Sequence, residues 1–299
     1  MYFLIYGLLY LVSLLPFWLL YAISDLLYVV IYYLAGYRKK IVMANLESAF
    51  PEKTSAERIK IAKKFYHYLS DNFVEVLKLL SISERAFLKR CTGNFDAVNQ
   101  VAANGKNIQL HSGHQFNSEY GIWFYSKNSL LPIFGMYVKV TNNAINRLFL
   151  KIRGRYGTVM IEAAEFRNKI HSMYKNPYLF GWVADQNPSN PRNAYWLKFL
   201  NKVAPFVKTP ERSAIKNNVA VVFARIKKIK RGYYYFENIV VTENASEYKM
   251  GELTRLYRDF LEDTIRQDPA NYLWTHRRWK HKYKEEYKEL WIEKDSASA

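Results

Sequence analysis

The amino-terminal stretch places the strongest constraint on what this chain can fold into. From Met1 to Tyr37 its only charged side chain is Asp25, and the run exceeds the roughly 20 apolar residues that a helix needs to cross a bilayer. Pro16 and Asp25 interrupt it, so we predict either a tilted span followed by an interfacial helix or a shallow hairpin that never fully crosses. In both cases residues 1–37 form a membrane anchor.

The flanking sequence orients this anchor. The run lacks the basic start and small-residue cleavage site of a signal peptide, so we expect it to stay on the protein. A basic cluster, Arg38 to Lys40, follows directly, and by the positive-inside rule such a cluster places the next residues in the cytoplasm. A buried pair of core helices is the alternative, although soluble core helices rarely exceed about 15 residues without a polar face.

Charge and composition narrow the class of partner. Lys and Arg number 44 against 26 Asp and Glu, a formal net charge of +18, and aromatic residues make up 17% of the chain. This charge favours an anionic partner: nucleic acid, acidic lipid, a phosphorylated substrate or an acidic carrier protein. The aromatic content is typical of proteins at a water–lipid boundary. The single cysteine, Cys91, excludes an internal disulfide and any multi-cysteine metal site.

Residues 38–299 are expected to form one α/β domain. Apolar residues at helical spacing from Ile59 to Leu77, preceded by the cap sequence TSAER, predict an amphipathic helix. A second helical pattern runs from Leu253 to Ile265. Between them, short apolar runs alternate with helical patterns, which is typical of a mixed sheet flanked by helices. The predicted strands are NIQLH, LPIFGMYV, TVMI, YLFGWVAD, VAVVFARI and YYYFENIVV.

The stretch HSGHQFNSE carries the first candidate site. His114 and Glu119 lie where a strand-like run enters a turn and an aromatic-rich helix leaves it. Within one helix their spacing would set the side chains about 140° apart, so we predict His114 in the turn and Glu119 in the helix, reaching back to the ring. A carboxylate on one ring nitrogen leaves the other free to take a proton from a hydroxyl.

Spacing alone is a weak signal. His281 and Glu286 repeat the same separation inside HKYKEEYKE, where a solvated helix face is the simpler interpretation. His111, at alternate strand spacing from Gln109, is expected to line the strand. What distinguishes His114 is its position between a strand end and a helix start, the usual place for a ligand site in open α/β sheets.

Four separated motifs resemble the bacterial lipid A biosynthesis acyltransferases, the late-acylation branch of the lysophospholipid acyltransferase superfamily. They are NLESAFPEKTSAER, HSGHQFNSE, ADQNPS and DPANYLWTHRRWK, and they cover most of the chain from Asn45 to Lys280. The resemblance implies a membrane-anchored, glycerolipid-acyltransferase-like α/β fold without a cofactor or a catalytic metal. It also implies transfer of a fatty acyl chain from acyl carrier protein, or acyl-CoA, to a hydroxyl of a lipid A precursor.

The resemblance assigns catalysis to the turn around His114. Many family members have H-x-G-N-W-E, whereas Phe116 and Ser118 stand here in place of the glycine and the tryptophan. Only His114, Asn117 and Glu119 therefore carry over. They are expected to act as general base, substrate contact and supporting acid, respectively.

Two further motifs supply candidate substrate contacts. The family's R-x-R-x-G is matched by Arg153, Arg155 and Gly157, and its DQ by Asp185 and Gln186. A guanidinium suits either an oxyanion or a lipid phosphate, and Arg155 is predicted to be that cation. Asp185, at a strand end, is predicted to orient an arginine or to line the acceptor site, with a structural cap as the alternative.

The leading hypothesis is an O-acyltransferase of the bacterial inner membrane, with its catalytic domain on the cytoplasmic side, that acylates a phosphorylated glycolipid beside anionic lipid. One alternative keeps the chemistry on another lysolipid or aminolipid. Another is a non-catalytic, membrane-tethered basic protein. The basic segment THRRWKHK, residues 275–282, fits lipid headgroups as well as it fits nucleic acid. Trp274 and Trp279 favour the lipid interface, so no nucleic-acid partner is expected.

Overall fold

The computed structural model describes residues 2–166, 168 and 177–293, and a mixed β-sheet forms the centre of the fold. The described strands are β1 (Cys91–Gly93), β2 (Ile108–Ser112), β3 (Ile133–Tyr137), β4 (Val159–Glu162), β5 (Leu179–Val183), β6 (Ala194–Phe199), β7 (Lys202–Val207), β8 (Ala220–Lys230) and β9 (Tyr233–Thr242). Seven of them form one sheet in the order β1-β9-β8-β2-β5-β3-β4. Neighbouring strands in it are parallel, except for the antiparallel pair β8 and β9.

Helices cover both faces of this sheet. Alternate residues of β8 enter two different core clusters: Phe223 packs with α10, whereas Val222 packs with α6 and α7. This alternation follows from the opposite directions of successive side chains in a strand. The described helices are α1 (Tyr2–Leu14), α2 (Phe17–Val29), α3 (Lys39–Ala49), α4 (Ser55–Lys78), α5 (Glu84–Leu88), α6 (Asp96–Ala103), α7 (Ser118–Asn128), α8 (Asn143–Arg153), α9 (Thr209–Asn217) and α10 (Glu252–Gln267).

Most of these elements agree with the sequence predictions. All six apolar runs contain a strand, and α10 ends before Pro269. At the start of α4, the hydroxyl of Thr54 accepts from the backbone N–H of Glu57, whose carboxylate accepts from the Thr54 N–H at 2.7 Å. This reciprocal pair is a capping box. The α/β class with a mixed, helix-flanked sheet is therefore confirmed.

Two features are absent from the sequence predictions. Strands β6 and β7 pair as a separate antiparallel hairpin. Because five of the six residues of β6 are buried, the strand lacks the alternation of polar and apolar residues that marks a half-exposed strand. The other feature is β1, whose three residues are too few to produce any periodic signal.

The amino-terminal run forms two helices that meet at Pro16, with a π-helical turn, Val30–Leu34, extending α2. The stretch Phe17–Leu34 is long and apolar enough to cross a membrane, by length and composition alone. Only 17% of it is buried, which distinguishes it from a core helix. Exposed apolar side chains of the two helices include Phe3, Leu4, Leu8, Leu11, Trp18, Leu26 and Leu34.

One face of α2 is bound to the α/β domain by polar contacts. The Tyr21 hydroxyl donates to Oε1 of Glu75, a buried residue of α4, at 2.9 Å. Asp25 forms an ion pair with Arg231 at 2.6 Å. The one charge in the apolar run thus faces protein, and both α1 and α2 contact α4. The two helices therefore lie along the domain, and we call residues 1–37 the amino-terminal segment.

Candidate active site

The candidate site lies at the edge of the sheet where two adjacent parallel strands end together. Strands β2 and β5 pair in register, with Ser112 opposite Val183. His114 and Asp185 each follow two residues later, so the register brings them side by side. Nδ1 of His114 is hydrogen-bonded to Oδ1 of Asp185, and the backbone N–H of His114 donates to Oδ2 at 2.9 Å. One carboxylate therefore holds both the ring and the turn.

Gly113 allows the turn to pack against α10. A Cβ at position 113 would lie 2.5 Å from Cδ1 of Leu261 and 3.5 Å from Oδ2 of Asp185. The distance to Asp185 is an ordinary van der Waals contact, so the crowded neighbour is the Leu261 side chain of α10, which would have to move for any larger residue. Glycine immediately before His114 lets the turn pack against α10 without that movement.

The motif DPANYLWTHRRWK binds the same turn through its backbone and one amide. The N–H of Leu273 donates to the carbonyl of His114 at 3.0 Å, and Oδ1 of Asn271 accepts from the N–H of Phe116 at 3.0 Å. The motif is therefore part of the framework of the site.

The predicted position of Trp274 at a lipid interface is wrong. Trp274 is buried in the core, and its indole N–H donates to the carbonyl of Pro269 at 2.6 Å. Trp279 is partly buried and stacks on Phe199. A buried indole needs a hydrogen-bond acceptor, and the turn at Pro269 supplies one for Trp274.

Asp185 and His114 each shift the pKa of the other. Asp185 is 1% exposed and the side chain of His114 is 32% exposed. Burial alone lowers the pKa of His114, but attraction to Asp185 and the hydrogen bond to it outweigh burial and raise that pKa above its ordinary value. Burial raises the pKa of Asp185, but the imidazole, with a smaller contribution from Arg278, holds it below its usual range.

The second ring nitrogen of His114 meets Gln186. The two Nε2 atoms are 3.0 Å apart. In the neutral ring, a proton on Nδ1 is shared with Asp185, so Nε2 accepts from the Gln186 amide. The lone pair needed for proton abstraction therefore lies on the partly exposed side of the ring.

The predicted contact between Glu119 and the His114 ring is wrong. Nε of Arg153 lies 2.9 Å from Oε2 and 3.1 Å from Oε1 of Glu119. Glu119 sits in the first turn of α7, after Asn117 in the left-handed region at φ 65°, and its carboxylate joins the last residue of α8. The acid beside the ring is Asp185, so each of the two carboxylates has the partner that the sequence suggested for the other.

Arg155 and Asn117 belong to the framework and do not line the cavity described below. Nη1 of Arg155 donates to the carbonyl of Leu79 at 2.9 Å, and its guanidinium lies 4.9 Å from the ring centre of Trp123. Asn117 is buried, with its amide donating to Glu75. The cation at the site is therefore Arg153 and not the predicted Arg155.

A cavity of about 570 Å³ opens beside these groups. Its polar lining includes His114, Glu119, Arg153 and Gln186. Its volume and lining are typical of a small-molecule site, and an apolar slot with a basic nitrogen in its wall suits a ligand with a long apolar chain. The apolar wall includes Leu110, Ile122, Ile133, Phe149, Met160 and Leu179.

Other candidate groups carry no comparable chemistry. A depression of equal volume, lined by Glu84, Arg85, Leu88 and Lys89, contains neither a histidine nor a buried acid. Within residues 2–166, 168 and 177–293, no group of three or more His, Cys, Asp and Glu side chains is placed to hold a metal ion.

His111 lines its strand, as predicted. His111 is buried in β2 with its Nε2 3.0 Å from Oε1 of Gln109, and burial lowers its pKa to about 3. It therefore stays neutral within the strand. In the second pair of equal spacing, the carboxylate of Glu286 binds Arg192 at 3.2 Å, on the surface.

The sheet, the His114–Asp185 pair and the apolar slot define an α/β protein with a candidate general base beside a long-chain ligand site. Residues 1–281 match the family described as bacterial lipid A biosynthesis acyltransferase. The lipid A biosynthesis lauroyltransferase of Escherichia coli (strain K12) is 24% identical over 249 residues, which is 81% of this chain and 79% of that protein. The chain belongs to the bacterial lipid A biosynthesis acyltransferase family.

Family membership decides between the hypotheses raised by the sequence. The resemblance carried by the four motifs is confirmed, and the chain is an acyltransferase of lipid A biosynthesis. The alternative of a non-catalytic basic protein is accordingly set aside.

Proposed function

We propose that this acyltransferase moves a fatty acyl chain from a thioester donor, acyl carrier protein or acyl-CoA, to a hydroxyl of a phosphorylated lipid A precursor. The observation that carries the proposal is the His114 ring, held on one side by the buried Asp185 and open on the other to an apolar cavity. That arrangement suits a general base that meets a hydroxyl beside an acyl chain.

In the proposed reaction, the acceptor hydroxyl first replaces the Gln186 amide as the hydrogen-bond partner of Nε2 of His114. Nε2 then takes the proton of this hydroxyl. The hydroxyl oxygen attacks the carbonyl carbon of the thioester. The C–S bond then breaks, and the leaving thiolate takes the proton from the imidazolium, so that an ester and a free thiol remain. Asp185 stabilises the imidazolium between the two proton transfers.

Arg153 is the proposed partner of the oxyanion that forms on the donor carbonyl. Burial alone lowers the pKa of this guanidinium, but Glu119 raises it above its usual value, so the group stays charged at the cavity wall. Loss of one oxyanion donor commonly costs about 10²–10³-fold in kcat. Glu119 thus acts as a positioning residue for Arg153.

The acyl chain is proposed to lie in the apolar part of the cavity, along the floor formed by β2, β3 and β5. On that floor Gly181 lies opposite Leu110 on one side and Gly135 on the other. Within 4 Å, a Cβ at Gly181 would meet only the carbonyl oxygen of Phe134, at 3.9 Å. A side chain at this position would therefore extend into open space in the slot.

We predict that Gly181→Leu shortens the acyl chain that the enzyme accepts. The added side chain should lower kcat/KM for the longest accepted donors at least about tenfold, while shorter donors retain most of their rate. Gly181→Ala should shift the preference less. The measurement is competition among acyl-carrier donors of graded length, with products resolved by mass spectrometry; an equal loss for every length would contradict the assignment of the slot.

The amino-terminal segment is proposed to hold the enzyme on the cytoplasmic face of the inner membrane, with its exposed apolar side in the lipid interface. The opposite side of α2 is occupied by Tyr21 and Asp25, which bind the domain. A helix with one apolar and one docked face suits interfacial attachment. In this proposal, residues 1–37 form the membrane anchor and residues 38–299 form the acyltransferase domain.

We predict that the combined substitutions Leu4→Ser, Leu8→Ser, Trp18→Ser and Leu26→Ser abolish stable membrane binding. Each buried apolar side chain of this size contributes about 1.5–3 kcal/mol, and none of these four residues is buried in the protein. Flotation with lipid vesicles measures the bound fraction. The control is Leu130→Ser with Met250→Ser, which changes exposed apolar residues outside the amino-terminal segment. Unchanged flotation of the fourfold variant would contradict the proposed anchor.

The identity of the acceptor is tested by analysing the lipids of a strain that lacks the gene. Mass spectrometry should show lipid A without one acyl chain, restored by the wild-type gene and not by a His114→Ala copy. Complete lipid A together with loss of another acylated lipid would instead favour a lysolipid or aminolipid acceptor.

A further inference from the structure

A strongly basic segment lies next to the proposed active site. Between Asp268 and Glu285 the chain has no acidic residue, whereas Arg277, Lys280 and Lys282 are exposed cations. Within the described part of the chain, these three side chains form no ion pair with a carboxylate at or below 4.0 Å. Their charge therefore faces solvent without compensation.

Backbone contacts fix this segment beside the base. The amide of Asn187 donates to the carbonyl of Arg277, and Asn187 directly follows Gln186, which is hydrogen-bonded to Nε2 of His114. Four residues earlier than Arg277, the N–H of Leu273 donates to the carbonyl of His114. Arg277 is thus held close to the ring by contacts on both strand-end loops of the site.

The basic cluster after the amino-terminal segment joins the same surface. Nη1 of Arg38 donates to the carbonyl of Thr275 at 3.1 Å, and the amide of Asn45 donates to the carbonyl of His276 at 2.8 Å. Arg38 directly follows the exposed end of that segment, and Lys40 is exposed as well. We call the set Arg38, Lys40, Arg277, Lys280 and Lys282 the basic rim.

Arg278, next to Arg277 in the chain, is a buried cation that acts on Asp185. It is 1% exposed, lies 4.5 Å from the ring centre of Phe206 and contributes to holding the pKa of Asp185 below its usual range. Asp185 is also 1% exposed and, in the described part of the chain, forms no ion pair with a cation of the rim.

We propose that the basic rim binds a phosphate group of the acceptor glycolipid and so sets which hydroxyl meets His114. The inference rests on the proposed function, because it names part of that acceptor. Guanidinium and ammonium groups without acidic neighbours suit a doubly charged phosphate. The position of Arg38 at the end of the amino-terminal segment would put the rim at the depth of lipid headgroups, where the phosphate of a glycolipid lies while the acyl chains of that lipid stay in the bilayer.

The test is steady-state kinetics of the full-length protein with one saturating acyl donor and two acceptors: a phosphorylated glycolipid and the same lipid after enzymatic dephosphorylation. For the double variant Arg277→Ala/Lys280→Ala we expect KM for the phosphorylated acceptor to rise about tenfold or more, with kcat within about twofold. KM for the dephosphorylated acceptor should not change. The matched control is Lys216→Ala/Lys249→Ala. These two exposed lysines lie near the start of β8, whereas the site lies where the strands parallel to β8 end.

Other outcomes would overturn the inference. An unchanged KM for the phosphorylated acceptor would show that the rim does not hold its phosphate. A KM that rises equally for both acceptors would also contradict the inference. If the variant in addition binds phosphatidylglycerol-containing vesicles less well than wild type does, but binds pure phosphatidylcholine vesicles equally well, the ligand of the rim is the bulk lipid headgroups. Wild-type protein that acylates neither acceptor would count against the proposed function instead, because the rim variant would then have no activity to change.

Discussion

Replacing His114 by alanine is expected to lower kcat for acyl transfer by about 10²–10⁴-fold, the usual contribution of general-base catalysis. His114 lines the cavity, whereas the neighbouring histidine, His111 of β2, is buried and does not line it. Acyl-lipid formation measured by mass spectrometry gives the rate, and circular dichroism checks that the variant is folded.

The matched control for this variant is His281→Ala. His281 has the same separation from Glu286 as His114 has from Glu119, but it does not line the cavity. We expect its activity to stay within about twofold of wild type. A His114→Ala enzyme that retains more than a tenth of the wild-type kcat would contradict the role of the ring.

The second large effect is expected for Asp185→Asn, which keeps the shape of the side chain and removes its charge. An amide cannot stabilise the imidazolium and also disturbs the tautomer, and the equivalent change in a serine-protease triad costs about 10⁴-fold in kcat. We therefore expect a loss of about 10²–10⁴-fold, with an intact fold by circular dichroism.

Glu119→Gln is the informative comparison for Asp185→Asn, because both remove one carboxylate charge from the site. We expect Glu119→Gln to reduce kcat about 10²-fold, since Arg153 loses the partner that positions it. A loss with Glu119→Gln and near-normal rates with Asp185→Asn would reverse the assignment of the two acids.

The sequence predicted the position of His114 in the turn after a strand but not its acid partner, and the reason is sheet order. Asp185 comes 71 residues after His114, and local spacing favours Glu119. Only the adjacency of β2 and β5 in the sheet places Asp185 against the ring. The strand-like run YLFGWVAD ends in Asp185, and the run NIQLH ends three residues before His114. This is the signal from which the pair can be found once the two strands are taken as neighbours.

The choice between Arg153 and Arg155 shows a similar limit. Both lie in the same short motif, but Arg153 ends α8 while Arg155 lies in the following 3₁₀ turn, Gly154–Tyr156. That turn directs Arg155 to the carbonyl of Leu79. A motif fixes residue types, whereas a change of helix type at one residue decides which guanidinium enters the cavity.

The amino-terminal segment shows what composition predicts and what it leaves open. Its apolar character predicts a membrane anchor, either a tilted span with an interfacial helix or a shallow hairpin, and the structure places exposed apolar side chains on both α1 and α2. The partner of Asp25 is Arg231, 206 residues away in the chain, and no local pattern links them. Whether the segment docks along the domain therefore depends on tertiary contacts that the sequence alone does not reveal.

The central claim is that neutral His114, held by Asp185, is the base, and the pH dependence of kcat/KM tests it most directly. Asp185 raises the pKa of His114, so activity should fall as the pH drops through that raised pKa and the ring becomes protonated. In Asp185→Asn the attraction is lost while burial remains, so the acid limb should move to lower pH. In Glu119→Gln it should stay in place. An acid limb that moves in Glu119→Gln and stays fixed in Asp185→Asn would contradict the account.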